Sequence, residues 1–306
     1  MSENNTQISV VILTFNEEKN LSYSLESVRG WSGDIHIVDS GSTDDTLQIA
    51  GTSGVGIHFH PWKDWADQRN WALENCGLKY EWVLFLDADE QLTPKSAEEI
   101  LRKTKNAPGG YSGFYLNFDF YFLGKLVRNA MYPHLRLVRR GKVRWQVAGP
   151  REYCLLEGKK DAIRSKLIHY DHRGIGHWIE KERRNAQLEA EMLYEKKKRL
   201  LKKKGSNVEW PCAGEGKFRH RLRNMLDHML PPFVRPLLFF LYRLFFKTDL
   251  RDGSTGFIYT FFFGLWYPML VDSIFVEILA KDVDNKATRR IAENEGTSNK
   301  ADHIKI

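Results

Sequence analysis

Two carboxylates separated by one residue, Asp87–Ala88–Asp89, stand where the apolar run Trp82–Leu86 ends. Such a pair can grip a hard divalent cation, Mg2+ or Mn2+, which takes one or two carboxylates and completes its shell with diphosphate oxygens and water. A strand-ending turn with two solvated acids would be spelled the same way. Asp39, in Val38–Asp39–Ser–Gly–Ser–Thr–Asp–Asp45, offers a carboxylate to a nucleobase or a ribose hydroxyl, while Ser42–Asp45 suits a helix cap. Thr14–Phe15–Asn16–Glu17 follows another apolar run, and its backbone N–H groups can meet a base. Arg69, in Ala66–Asp–Gln–Arg–Asn–Trp–Ala72, carries a guanidinium fork matched to a base or a diphosphate, or simply to a helix surface.

These residues need elements to place them. Ile8–Thr14 and Trp82–Leu86 are continuous apolar runs, the pattern of strands buried on both faces. Asp34–Val38 and Val55–Phe59 are shorter strand patterns. Helical patterns lie between them: Glu17–Val28 with Leu21, Leu25 and Val28 in phase, a helix opening at Thr46, Asp67–Asn75, and a helix opened by Pro94. Strands alternating with helices predict an α/β fold with a mostly parallel sheet, whose ligands bind at the carboxyl ends of the strands. Asn16, Asp39 and Asp87 each fall at such an end. From Ser112 to Leu156 the segments become aromatic and alternating, as in antiparallel strands. A long helix follows over Trp178–Lys204, then a linker over Gly205–Gly216.

The chain has 306 residues, about two domains' worth on length alone. Its three cysteines, Cys76, Cys154 and Cys212, form no CxxC pair, which argues against a cysteine zinc site or a disulfide framework. The polar start Met1–Gln7 leads straight into a strand, so no cleaved signal peptide is expected. Charge is unevenly spread. Residues 1–100 hold 6 Lys/Arg against 17 Asp/Glu, and the remainder 40 against 22, so a net −11 precedes a net +18. The acidic part suits metals and the basic part an anionic partner.

The four segments SVVILTFNEEKNL, VDSGSTDDT, ADQRNWAL and WVLFLDADE, in this order and spacing, resemble the nucleotide-sugar half of family 2 glycosyltransferases of the GT-A fold, over about residues 8–175. HLRLVRRGKVRW, GPRE, LIHYDHRG and RDGSTGF are further similar to the lipopolysaccharide-core β-glucosyltransferase branch. The resemblance implies that Thr14, Asn16, Glu17, Asp39 and Arg69 surround the nucleoside. Asp87 would lie near the ribose and the metal, with Asp89 as metal ligand. Glu152 would be the general base, with Arg151 before it where that branch usually has histidine. Inverting transfer needs such a carboxylate, because an attacking hydroxyl must lose its proton. A salt bridge from Glu152 to Arg151 or Arg144 is the plainer reading of the same residue. His169, and less directly His172, would complete metal or diphosphate binding. Trp145 and Tyr132 suit either sugar stacking or a core.

The basic run Lys196–Lys204 precedes two aromatic stretches, Phe233–Phe246 and Phe257–Val271. Arg235, Arg243, Pro268 and Asp272 interrupt these, so interfacial or re-entrant helices are expected over 222–280 rather than spanning ones. Arg235 and Arg243 would snorkel to phosphates, and Arg251–Gly256 would form a tight turn. The expected organisation is a nucleotide-sugar half at 1–110, an acceptor half with the basic helix at 111–221, membrane-associating helices at 222–280, and a polar tail at 281–306. The function expected is an inverting, metal-dependent hexosyltransferase at the cytoplasmic face of the inner membrane. Its donor would be a UDP-hexose, and its acceptor a cell-envelope glycan or lipid-linked saccharide. An oligomer interface is the competing use of the apolar stretches. A nucleotidyltransferase lacks its glycine-rich loop here, and a nucleotide-dependent oxidoreductase its GxGxxG. A nucleic-acid-binding protein would account for the basic half alone, but no nucleic-acid motif accompanies it, so nucleic acid is not an expected partner.

Overall fold

The computed structural model describes residues 6–107, 110–128, 130–148, 151–202, 230–246, 252–282 and 284. Among them a nine-stranded sheet runs in the order β3-β2-β1-β4-β8-β6-β11-β5, with β7 beside β6. The strands are β1 (Ile8–Thr14), β2 (Ile35–Asp39), β3 (Gly56–Phe59), β4 (Trp82–Asp87), β5 (Glu90–Gln91), β6 (Tyr111–Phe122), β7 (Lys125–Val127), β8 (His134–Arg139) and β11 (Lys159–Tyr170). β1 pairs in parallel with β2 and β4, and β2 with β3. β8 enters antiparallel between β4 and β6, and β11 returns parallel to β6. Within the aromatic segment from Ser112 to Leu156, β6 pairs antiparallel with β7 and β8 as expected, and its parallel partner β11 comes from beyond that segment. Alternation reveals which face a residue takes, not which way its neighbour runs.

Every residue of β1 is buried, because both faces of the sheet are covered. Val10 and Ile12 join one core with Leu21, Leu25, Ile37 and Leu84, while Val11 and Leu13 join another with Phe85, Ala72 and Trp145. Helix α1 (Leu21–Val28) begins later than the sequence pattern suggests, since Asn16 takes a left-handed φ of 54° and the chain turns through Glu17–Asn20 first. Helices α2 (Thr46–Gly51), α3 (Trp65–Asn75) and α4 (Pro94–Lys105) follow their strands. The Asp64 side chain caps α3 by accepting from Asp67 N, so α3 starts two residues before its apolar pattern. Thr93 and Ser96 close a capping box over Pro94 at the start of α4.

Two strands stand off the main sheet. β9 (Val143–Ala148) and β10 (Arg151–Leu156) form an antiparallel pair with Glu152 opposite Val147. Asn70 of α3 holds this pair down: its Nδ2 donates to Trp145 O at 2.9 Å and its Oδ1 accepts from Trp145 N at 2.9 Å. The Trp145 ring is buried against Phe85, so it serves as core and has no face for a sugar. Tyr132, by contrast, is exposed.

Helix α5 (Gly174–Lys202) continues directly from β11. Lys203, Lys204, the expected linker Gly205–Gly216, Cys212 and nearly all of the polar tail lie outside the described residues. Helix α6 (Val234–Phe246) and helix α7 (Gly253–Asp282, with a π-helical turn at Phe262–Trp266) complete the chain. Residues 253–256 open α7 instead of forming a tight turn: Asp252 is anchored by Arg128, whose backbone N and Nη1 donate to it at 2.8 and 3.0 Å. Interruption by single charges did not shorten the apolar segment either. α7 has 30 residues and its most apolar 18-residue window has a mean hydropathy of 1.5, long and apolar enough to cross a membrane by length and composition.

Candidate active site

Sheet register assembles the site. Thr14 is the residue opposite Asp39 on β2, and Leu13 is opposite Asp87 on β4, so three strand ends lie side by side. Asp39 is fully buried and spends its carboxylate locally: Oδ2 accepts from Thr14 Oγ1 at 2.9 Å and Ser42 Oγ at 2.5 Å, and Oδ1 from Gly41 N and Ser42 N at 2.8 Å each. Asn16 ties the first loop to the second, its N–H donating to Ser42 Oγ and its Oδ1 accepting from Thr43 N, both at 2.8 Å. Thr14, Asn16 and Asp39 thus fix the two loops that border the cleft.

Glu17 accepts from Arg173 Nη1 at 2.7 Å and Asn20 Nδ2 at 2.8 Å. Burial nevertheless outweighs the guanidinium and pushes Glu17 up to about 8, with Asp89 adding to the rise. Arg173 also grips Asp171 through Nε and Nη2, and Asn20 receives the backbone N–H of His172. The segment after β11 is thereby fastened to the loop after β1. The His172 ring stacks on Tyr23 at 4.2 Å, and its Nε2 is buried with no hydrogen-bond partner.

The centre of the site is a closed ring of charge. Arg69, almost fully buried on α3, donates from Nη1 to Glu152 at 2.6 Å and from Nη2 to Asp87 at 3.0 Å. Arg136 on β8 donates from Nη2 to the other oxygen of Asp87 at 2.7 Å and from Nη1 to the other oxygen of Glu152 at 3.4 Å. Two guanidiniums and two carboxylates from α3, β4, β8 and β10 therefore alternate around one point. Burial pushes Asp87 upward against the pull of Arg69. Glu152 pairs with Arg69 and Arg136, and not with the Arg144 guanidinium that the sequence offered. Arg136 lies in the HLRLVRR segment, but nothing in its local spacing marked it out; only the β4–β8 pairing puts it beside Asp87.

Asp89 and Glu90 follow on the turn beyond β4, facing His169 on β11 across the β5–β11 pairing. Asp89 Oδ2 lies 3.6 Å from His169 Nε2, and Glu90 Oε1 lies 3.7 Å from His169 Nδ1. Both gaps exceed a hydrogen bond, and Glu90 Oε1 and His169 Nδ1 are buried with no hydrogen-bond partner. Burial opposes a charged His169, yet Asp89 and Glu90 raise it to about 9. Burial, reinforced by Asp87, raises Glu90 to about 7. Lys181, two turns into α5, is a further cation that interacts with Asp89 more strongly than with any other charge. It sat unremarked in a charged helix pattern.

A carboxylate and an imidazole facing each other beyond hydrogen-bonding distance suit a borderline-hard divalent cation such as Mn2+, which would displace the imidazole proton on binding. No group of three or more His, Cys, Asp or Glu side chains among the described residues is arranged as a ready-made metal cluster. Asp89 and His169 fit a cation that draws its other ligands from a bound substrate.

Residues 9–151 match the family described as Glycosyl transferase family 2. The lipopolysaccharide core biosynthesis glycosyltransferase LpsC of Rhizobium meliloti is 32% identical over 204 residues, 63% of this chain and 73% of LpsC. An uncharacterized glycosyltransferase of Rickettsia typhi is 37% identical over 94 residues, so the match spans 31% of this chain and about a third (32%) of that relative's length. Among solved structures, glucosyl-3-phosphoglycerate synthase from Mycobacterium tuberculosis, in complex with Mn2+, uridine diphosphate and glucosyl-3-phosphoglycerate, shares 14% identity over 63% of this chain and 80% of its own, with a TM-score of 0.40. On the family match and the extent of the likeness to LpsC, this chain belongs to glycosyl transferase family 2.

Proposed function

We propose that the chain is an inverting, divalent-metal-dependent hexosyltransferase. It would move a hexose from a nucleotide-sugar, a UDP-hexose, to a cell-envelope glycan or lipid-linked saccharide at the cytoplasmic face of the inner membrane. One observation carries the reading: the carboxylate suited to take a proton, Glu152, shares two arginines with Asp87, and Asp89, two residues further on, faces His169 beside that cluster. Family membership and the name of LpsC support the reaction class and the envelope acceptor.

Glu152 accepts the proton of the acceptor hydroxyl as that oxygen bonds to the anomeric carbon, and the carbon–oxygen bond to the diphosphate breaks with its electron pair leaving on the nucleoside diphosphate. A carboxylate has about four lone-pair sites, so Arg69 and Arg136 can orient Glu152 and leave one free for the hydroxyl. The same arginines, with Lys181, lie where charge grows on the departing diphosphate. Asp89 and His169 would hold Mg2+ or Mn2+, which neutralises that diphosphate when bound. Thr14, Asn16, Asp39 and Glu17 shape the nucleoside end.

The test is a donor screen scoring nucleoside diphosphate release with Mg2+ or Mn2+ against UDP-, GDP- and dTDP-sugars. The expected result is divalent-dependent turnover of a UDP-hexose, lost in Asp89→Ala with the fold intact by circular dichroism. Wild-type turnover in Asp89→Ala, or release with no added cation, removes the metal role.

A further inference from the structure

α7 has the dimensions of a membrane span. Thirty residues make a helix of about 45 Å, against a hydrocarbon core of about 30 Å, and only 17% of its most apolar window is buried. What it packs against points elsewhere. From its π-helical turn onward it runs beside α5: Phe262, Phe263 and Trp266 surround Trp178 at 5.4, 4.7 and 6.0 Å between ring centres. Further along, Val271 and Ile274 pack with Ala186 and Ala190, Tyr267 donates to Glu189 at 2.7 Å, and Lys197 lies 5.4 Å from the Phe275 ring. The contacts advance together along both helices, so α7 is fastened to α5 from Trp178 to Lys197, about 29 Å.

α5 is a water-facing helix. Arg183, Arg184, Glu191 and Glu195 belong to it and all four are exposed. A crossing α7 would carry these charges into hydrocarbon, where charged side chains are strongly disfavoured. Asp272, buried in the middle of α7, also accepts from Arg235 at 3.1 Å and from Phe233 N at 2.8 Å, which binds the start of α6 across it. Arg235 is therefore part of the helix pair and does not reach out to phosphates, as its place in the sequence had suggested. Much of what remains uncovered is apolar: Leu238 is 50% and Phe245 67% exposed on α6, with Phe257, Phe261 and Val276 exposed on α7, where the exposed Glu277 and Lys281 pair with each other.

We infer that α7 lies along the membrane plane, and that with α6 it forms a monotopic platform seated on an anionic bilayer surface. This rests on the membrane part of the reading above and specifies its geometry. The apolar rows suit the acyl boundary, and the cations Lys196, Lys197 and Lys198 at the end of α5, within a basic remainder of net +18, suit anionic headgroups. A platform of this kind keeps the strand ends on one side of the bilayer while the helices hold the enzyme to it.

Depth measurement decides between lying and crossing. The full chain, with Cys154 and Cys212 replaced by serine, is labelled with an environment-sensitive dye at Phe257→Cys or Val276→Cys and bound to phosphatidylcholine vesicles containing one-third phosphatidylglycerol. Lipid-borne quenchers at several depths should place both labels at the same shallow level. One label deep and the other at the far headgroups overturns the inference. The unlabelled full chain with a C-terminal tag gives a second readout in sealed inverted membrane vesicles: digestion of the tag from the outside is expected, and protection would mean crossing. Binding to pure phosphatidylcholine should be about tenfold weaker or worse. Equal binding removes the anionic surface, and concentration-dependent self-association without vesicle binding replaces the bilayer with a second copy. Leu238→Glu with Phe245→Glu should abolish vesicle flotation and leave Mn2+-dependent hydrolysis of UDP-glucose unchanged. Loss of that hydrolysis in the unmutated chain would count against the enzymatic reading and leave the platform standing.

Discussion

Arg69 and Arg136 hold Glu152 and Asp87 so closely that each carboxylate is positioned by both guanidiniums. Truncating either arginine leaves two carboxylates facing each other with half their compensation. Replacing Glu152 with glutamine keeps the shape and removes the proton acceptor. Glu152→Gln should therefore keep donor affinity, measured by calorimetry with UDP, and lower kcat by about 10²- to 10⁴-fold, the usual worth of a positioned base. Retained turnover would move the base elsewhere. Glu17 makes a different prediction. Its folded value near 8 lies above the ordinary carboxylate value of 4.5, so the folded state binds the extra proton between those limits. The stability it contributes is full below about 4.5 and is lost as pH rises through 8. Urea unfolding at pH 5, 7 and 9 should show that decline, and Glu17→Gln should flatten it. Of this site the sequence displayed Asp39, Asp87 and Asp89, which sit in short local motifs at strand ends, and Arg69 in a helical pattern, whereas Glu152 was implied by the resemblance alone. It hid Arg136 and Lys181, whose roles come from a strand pairing and a helix packing that no local spacing encodes.

The elements divide along the same line. β1 and β4 were legible because a strand buried on both faces must be apolar throughout, and these two are. β5 was not, since two residues, Glu90 and Gln91, have no period to read. The start of α7 was misread for a local reason too: Gly253 and Ser254 look like a turn, and it is Arg128, 124 residues away, that anchors Asp252 at the head of the helix. Long-range anchoring matters most for the β9–β10 pair, which carries Glu152 yet lies off the main sheet. Asn70 fastens it by satisfying both backbone groups of Trp145, a residue buried in the core. Asn70→Ala strands those groups and should cost about 1–3 kcal/mol in chemical denaturation. Since Arg69 stays on α3, the loss should appear chiefly in kcat, with affinity for UDP changed much less. An equal loss in both would show that the pair also shapes the donor cleft.

At the scale of the molecule, the apolar C-terminal helices are not an appendix to the catalytic half. Tyr259, Phe262 and Phe263 of α7 enclose Phe122 of β6 and Trp178 of α5, and Tyr259 donates to Ala130 O at 3.0 Å. Phe263 and Tyr259 also pack on Phe120, whose ring lies 5.3 Å from His169. A row of aromatic rings thus joins the apolar helix α7 to the imidazole opposite Asp89. Deleting residues 230–306 would consequently uncover Trp178 and Phe122 and remove the packing behind Phe120. Burial of a large aromatic side chain is worth about 1.5–3 kcal/mol, so loss of cover from several at once is comparable with the whole stability of a domain. The expected outcome is a truncated chain that unfolds at a lower temperature and binds hydrophobic dye, not a folded catalytic half. Differential scanning calorimetry in the same mild detergent for both chains measures this directly. An unchanged transition with full UDP-sugar turnover in the truncated chain would show that the catalytic half stands alone and that the aromatic row carries no stabilising load.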